Sequence, residues 1–164
     1  MNIPLTTTRL SLAALTVGDA AFILELVNTE GWKKFIGERH VYNLEDAIGY
    51  ITKITGNPDI QYKVVRTIEN SMPVGIITYI KRTYLPHPDI GFAFLPMGTG
   101  QGYAFEAASA FLDLLKAQSV PVVYATTFPD NIRSMQLLGK LGFSFSTVLH
   151  REDATVNLFE LQLG

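Results

Sequence analysis

Between residues 98 and 102 the chain reads Gly98-Thr99-Gly100-Gln101-Gly102, with an apolar run, Ile90–Leu95, before it and a helical pattern after it. Glycine lets the backbone enter left-handed turns, so successive N–H groups can face one way. The positive end of the following helix adds to them. A loop so placed is a receptor for phosphate or pyrophosphate. The loop does not fit the common nucleotide patterns. No Lys-Ser or Lys-Thr follows the glycines, as G-x-x-x-x-G-K-[ST] requires. The sixth residue counted from Gly98 is Tyr103 and from Gly100 is Phe105, so G-x-G-x-x-G is not met either. The strand expected at Val122–Thr126 lacks the terminal acid that would hold a ribose. ATP and NAD readings therefore fail, and on spacing alone the alternative is a tight turn that holds nothing.

Other reactive groups are few. The chain has no Cys, which excludes disulfides, Cys-bound zinc, Fe–S clusters and a thiol nucleophile. His40, His87 and His150 stand far apart without ligand spacing, so no metal is expected. Asn131 and Ser134 are three apart and share one face of a helix. Asn131 also suits a helix cap. His87 and Asp89 lie together in Pro86-His87-Pro88-Asp89. An imidazole near pKa 6.5 suits proton acceptance at neutral pH better than a carboxyl near 3.9, unless burial raises the latter. An ordinary turn with solvated side chains is the competing reading. Residues 31–39, Gly-Trp-Lys-Lys-Phe-Ile-Gly-Glu-Arg, mix aromatic and charged side chains in a segment expected to be a loop, where a recognition surface can form. Trp32 and Phe35 fit a core equally well, and Glu38 with Arg39 fits a solvated ion pair.

The elements that must position these groups follow from composition and periodicity. The chain has 164 residues, 48% hydrophobic and 17% charged, which suits one compact domain over 1–164 and argues against disorder or a coiled coil. Net charge is −2, and the basic residues form only short pairs, Lys33-Lys34 and Lys81-Arg82. A nucleic-acid partner is not expected. The apolar stretches Val74–Ile80 and Ile90–Pro96 are too short to span a bilayer, and Met1–Thr6 lacks the features of a signal peptide. The expected compartment is the cytoplasm, with no membrane association.

Leu10–Leu12 predicts a first strand, and Asp19 opens a helix with Ala20, Ile23, Leu24 and Val27 on one side. Asn43–Asp46 reads as the capped start of a second helix that buries Ala47, Ile48 and Ile51. Strands are predicted at Tyr62–Ile68, Val74–Lys81 and Ile90–Leu95, the last covered on both faces. After the glycine loop comes a helix with Ala104, Ala107, Ala108, Phe111 and Leu115 buried, then the strand Val122–Thr126, parallel to its predecessor across a helical crossover. A last helix, capped by Asp130 or Asn131 and with Ile132, Met135, Leu138 and Leu141 inward, ends at Gly142. Strands Phe143–Leu149 and Val156–Leu163 close the chain. The fold class is α/β (α+β): a mixed sheet with helices on both faces.

Three tracts carry a family resemblance. Thr99–Ala107, T-G-Q-G-Y-A-F-E-A, is similar to the acetyl-CoA pyrophosphate loop, [QR]-x-x-G-x-[GA], of the GNAT N-acetyltransferase superfamily. Residues 129–143, P-D-N-I-R-S-M-Q-L-L-G-K-L-G-F, resemble the P-x-N-x-x-S-x-x-x-x-x-K-x-G-F helix of its ribosomal-protein (RimJ/RimL-like) branch. The opening T-x-R-L-x-L-x-x-L at 7–15, followed by Asp19-Ala20, matches the same branch. The resemblance spans essentially the whole chain, with the tracts in the family's order. Two positions depart from it: Thr99 stands where Gln or Arg is usual, and Leu138 where many members place a Tyr acid.

The resemblance implies a mostly antiparallel sheet with one splayed parallel pair. It implies transfer of the acetyl group of acetyl-CoA, the cosubstrate, directly to a primary amine in a ternary complex. The amine would be a protein N-terminus or a small molecule. Phe94 and Leu95 would offer backbone contacts to the pantetheine and thioester. Gly100, Gly102, Tyr103 and Ala104 would hold the pyrophosphate, with Gln101 adjacent, and Asn131 the pantetheine arm. Ser134 would protonate the leaving thiolate or orient a water that does. Asp89, His87 or a water relay would act as base. Trp32, Phe35, Arg39 and Arg82 would line the acceptor side. The chain would act as a monomer or homodimer. The alternative function is a module that keeps the CoA cleft but catalyses nothing.

Overall fold

Period-two alternation in the middle of the chain builds two separate cores on the two faces of one sheet. In β3 (Ile60–Thr67), Val64 and Val65 are both fully buried but belong to different clusters, and Ile76 and Ile77 of β4 (Pro73–Ile80) repeat the division. Neighbouring side chains on a strand point to opposite faces, so a strand that is apolar at every position must be covered twice. The structure, a computed structural model, describes residues 4–151 and 153–164.

Eight strands form one sheet in the order β1-β2-β3-β4-β5-β6-β8-β7. The outer strands are β1 (Leu5–Thr6) with β2 (Leu10–Ala14) at one end, and β8 (Thr155–Gln162) with β7 (Ser144–His150) at the other. Helices α1 (Ala20–Val27), α2 (Glu30–Phe35) and α3 (Leu44–Thr55) cover one face, packing Phe22, Ile23, Leu26, Trp32 and Ile51 on Val64, Ile76 and Leu95. Helix α4 (Tyr103–Ala117) and helix α5 (Ile132–Leu141) contribute Phe111, Leu115 and Leu138 to the core on the other face, with Leu10, Leu12, Val65 and Ile77. No helix among the described residues is long and apolar enough to cross a membrane.

All strand pairs are antiparallel except β5 (Asp89–Phe94) with β6 (Val122–Thr127). That parallel pair is registered only at Asp89 opposite Tyr124, where the Tyr124 N–H donates to the Pro88 carbonyl at 2.9 Å. Beyond it the strands diverge. The other edge of β5 stays fully registered on β4, from Ile80 opposite Asp89 to Gly75 opposite Phe94. This contact admits no side chain at Gly75, where a Cβ would meet the Phe94 ring at 2.4 Å and the Ala93 carbonyl at 2.7 Å.

The expected elements are present, with four differences. A short β1 pairs Leu5 with Leu12 ahead of the first predicted strand. Part of the expected loop at 31–39 is α2: the Thr29 hydroxyl accepts from the Trp32 N–H at 3.3 Å, and Glu30 and the Lys33-Lys34 pair sit at the ends favoured by the helix dipole. Ile48 and Ile132, expected inward, are exposed, because α3 turns only Ala47, Ile51 and Ile54 to the core and α5 fully buries only Leu138. Strand β5 was expected to be covered along its whole length, but only Asp89 and Ile90 are buried within it; Phe92, Ala93 and Phe94 open onto a cleft.

Candidate active site

The divergence of β5 from β6 leaves backbone groups without a strand partner. The Leu95 N–H donates to the Val74 carbonyl at 2.8 Å, so residue 95 faces β4. Strand geometry alternates the hydrogen-bonding edge, which turns the N–H and C=O of Phe92 and Phe94 toward the gap. The Pro88 bond to Tyr124 fits this parity.

At the far end of β5, a 3-10 turn at Pro96–Gly98 leads into the glycine loop. Gly100 has φ +76° and Gly102 has φ +78°, both left-handed. Gly102 is the N-cap of α4 and supplies no side chain to cap it; the first α-helical bond runs from the Glu106 N–H to the Gly102 carbonyl at 3.0 Å. The N–H groups of Tyr103, Ala104 and Phe105 thus precede the helix's own ladder, the arrangement that receives an anion. The Thr99 hydroxyl donates to the Pro96 carbonyl at 2.8 Å and closes the turn instead of reaching outward.

These features line a cleft of about 1370 Å³, together with Phe92, Ala93, Phe94, Gly98, Asn131 and Ser134. Arg133 and Lys140 of α5, and Arg9 in the turn before β2, also border it. Arg9 lies over the Tyr103 ring at 4.6 Å, and with Thr7 it holds Glu106 in the first turn of α4. Burial works to raise the Glu106 carboxyl, but hydrogen bonds from Thr7 and Arg9 outweigh it, and the group sits below its ordinary range. Asn131 caps α5, its Oδ1 accepting from the Ser134 N–H at 3.3 Å.

A second cavity, about 300 Å³, adjoins the first and shares Trp32, Phe35, Ile36, Phe92, Ala93, Asn131 and Ser134 with it. Asp89, Arg82 and Arg39 line it as well. Asp89 is 3% exposed, and its Oδ2 accepts from Arg82 Nε at 2.5 Å. Burial pushes the Asp89 carboxyl up; the Arg82 guanidinium pulls it down, and burial prevails. The Tyr62 hydroxyl, bonded to that of Tyr50 at 3.0 Å, is driven further up by burial and stays neutral.

The structure thus brings Ser134, Asn131, Asp89, Arg82, Trp32, Phe35 and Arg39 to two joined cavities, and the glycine loop to the larger one. It does not bring three expected residues there. His87 lines neither cavity and packs edge-on against Tyr124, ring centroids 5.6 Å apart. Leu95 is in the core, with its N–H on Val74 and its carbonyl accepting from the Gly98 N–H, and the backbone that faces the gap beside Phe94 is that of Phe92. Gln101 is exposed and lines neither cavity. Arg133 and Lys140 were missed in the sequence, although both sit within the recognised tract at 129–143. Arg9 sits within the opening tract, whose spacing did not reveal what it holds.

Comparison with known proteins agrees with this geometry. Residues 9–144 match the acetyltransferase (GNAT) domain family. An uncharacterized N-acetyltransferase, YnaD, of Bacillus subtilis (strain 168) is 30% identical over 139 residues, 84% of this chain and 81% of its own. A ribosomal-protein alanine acetyltransferase from Vibrio fischeri superposes with TM-score 0.81 at 18% identity, covering 98% of this chain and 97% of that one. RimL, a ribosomal-protein α-N-acetyltransferase solved with coenzyme A, superposes with TM-score 0.85 at 12% identity, covering 98% of each chain. The chain belongs to the GNAT acetyltransferase family, whose members use acetyl-CoA, and it is an acyltransferase. The expected mixed sheet with one parallel pair is the fold these structures share.

Proposed function

We propose that this protein transfers the acetyl group of acetyl-CoA directly to a primary amine, the two substrates meeting where the cavities join at Phe92, Ala93, Asn131 and Ser134. The observation that carries the reading is the single registered pair between β5 and β6, which leaves the Phe92 and Phe94 backbone unpaired beside an uncapped helix N-terminus. Acetyl-CoA brings an activated thioester: the amine nitrogen bonds to the acetyl carbon, the C–S bond breaks, the nitrogen loses a proton and the sulfur gains one.

The residues present fit that cosubstrate. Backbone donors of Gly102, Tyr103 and Ala104, and that of Gly100 ahead of them, suit the pyrophosphate. Gln101 flanks them from solvent. Arg133 and Lys140 supply cations at the same cleft for further phosphate charge. Phe92 and Phe94 present an N–H and a C=O each, as a partner strand would need, and suit an amide-bearing arm. Asn131 spends Oδ1 on its cap and keeps its amide N–H2 for the same arm. Ser134 stands at the junction and can give its hydroxyl proton to the departing sulfur, recovering one from solvent. Asp89, raised by burial, faces the acceptor cavity and takes the proton of the incoming ammonium, directly or through a water. Trp32 and Phe35 wall both cavities and exclude water from the junction.

The test is release of the coenzyme A thiol from acetyl-CoA on addition of amines, followed over a matrix of both concentrations. Direct transfer predicts intersecting reciprocal plots. Parallel plots would mean a covalent acetyl-enzyme, and release that does not depend on the amine would refute transfer to one.

A further inference from the structure

The acceptor cavity carries its own charge pattern. Among the described residues, three arginines, Arg39, Arg82 and Arg151, line it against a single carboxylate, Asp89, which Arg82 already engages. The molecule as a whole has net charge −2, so this concentration of cations runs against the bulk composition. Arg39 and Arg151 are exposed and held over aromatic faces: Arg39 lies 5.8 Å from the Trp32 ring centroid, and Arg151 lies 3.3 Å from that of Tyr84. Among the described residues, no carboxylate lies within 4.0 Å of Arg39. Stacking fixes a guanidinium plane while leaving its N–H groups free for an anion.

Fixed cations around one cavity suit a ligand that carries negative charge. They oppose a polyamine, whose second ammonium would meet the arginines.

We infer that the acceptor is a small primary amine bearing a carboxylate, of the free α-amino-acid type, with Arg39 and Arg151 receiving the carboxylate while the amine faces Asp89 and the junction. The inference rests on the acetyl-transfer reading and names its substrate class. The cavity's roughly 300 Å³ is at the lower end of ligand pockets and suits a molecule of that size.

The experiment measures thiol release from acetyl-CoA with free L-amino acids, the matching amino-acid amides, a dipeptide amide with an acidic second residue, and spermidine. Free amino acids are expected to exceed their amides in kcat/KM by about tenfold or more, the loss when a charge-assisted hydrogen bond is replaced by a neutral one. Arg39→Gln, at an exposed side chain, is expected to leave the melting temperature unchanged and to raise KM for the amino acid with little change in kcat, and Arg39→Lys to recover part of the loss. A merely structural role for Arg39 would not separate the acid from the amide. Equal or better turnover of amides or spermidine would overturn the inference while leaving acetyl transfer standing. Turnover of the acidic dipeptide amide without the free amino acids would also overturn it and assign the arginines to a peptide side chain. No turnover of any acceptor, with acetyl-CoA still raising the melting temperature, would overturn the transfer reading and the inference with it.

Discussion

Arg9 Nε donates to Glu106 Oε1 at 2.8 Å, across ninety-seven residues of chain, and the Arg9 N–H and Thr7 hydroxyl donate to the other oxygen of the same carboxylate. Glu106 is in the first turn of α4, four residues past the cap of the glycine loop. The contact ties the turn between β1 and β2 to the helix end whose donors the loop presents. It also keeps an acidic side chain occupied that would otherwise compete for those donors. Replacing Glu106 with Gln is expected to cost about 1–2 kcal/mol, the low end for charge-assisted bonds because the pair is partly solvated. The sign with pH is fixed by the lowered carboxyl. Its stabilisation is complete above the ordinary value of 4.5 and lost as pH falls through the folded-state value. Denaturant unfolding should therefore show the deficit of Glu106→Gln at neutral pH and its disappearance in acid.

Gly100 occupies left-handed backbone in open space, with nothing within 4 Å of where a Cβ would stand. Gly100→Ala therefore reports conformation and not a clash. It should cost about 1–2 kcal/mol and weaken acetyl-CoA binding more than it lowers kcat, as calorimetric titration and steady-state kinetics would show. Loss of kcat with intact binding would contradict the role given to the loop.

Ser134 and Asp89 lie on opposite sides of the proposed reaction. A thiolate is a good leaving group, so Ser134→Ala is expected to lower kcat by about 10²-fold or less, the bottom of the range for acid–base catalysis. Solvent exchange at the sulfur would limit the loss further.

Asp89→Asn removes the proposed base and is expected to lower kcat by about 10²-fold. Because burial raises the Asp89 carboxyl, the acidic limb of the kcat/KM profile in the parent should lie above 3.8, the ordinary carboxyl value, and should vanish in Asp89→Asn. His87→Gln is expected to leave that limb in place, since His87 packs on Tyr124 away from both cavities. If His87→Gln instead removed the limb, the base assignment would pass to the imidazole.

Much of this was legible in the residues, for identifiable reasons. Alternation located β3, β-branched and apolar runs located β4 and β6, and helical spacing located α4; a cap at Asn43 announced α3, and one at Asp130 or Asn131, which proves to be Asn131, announced α5. Helix α2 was not legible, because six residues containing a glycine give too little periodicity to outweigh a loop composition. The apolar run Ile90–Leu95 has the composition of a fully covered strand, yet part of it walls the cleft; a ligand gap and a core place the same demand on side-chain type. The backbone commitments of Leu95 and the anchor from Arg9 to Glu106 depend on pairings distant in sequence, which no local pattern records. The convergence of Arg39, Arg82 and Arg151 is of the same kind, since residues scattered over 113 positions meet only in the folded chain.

The claim on which the rest depends is that the gap between β5 and β6, with the uncapped start of α4, receives acetyl-CoA. Thermal unfolding with acetyl-CoA, coenzyme A, NAD and ATP tests it most directly. A ligand at one hundred times its Kd stabilises by about 2.7 kcal/mol, so acetyl-CoA and coenzyme A should both raise Tm measurably while NAD and ATP do not. No rise at millimolar acetyl-CoA, or an equal rise with ATP or NAD, would contradict the account.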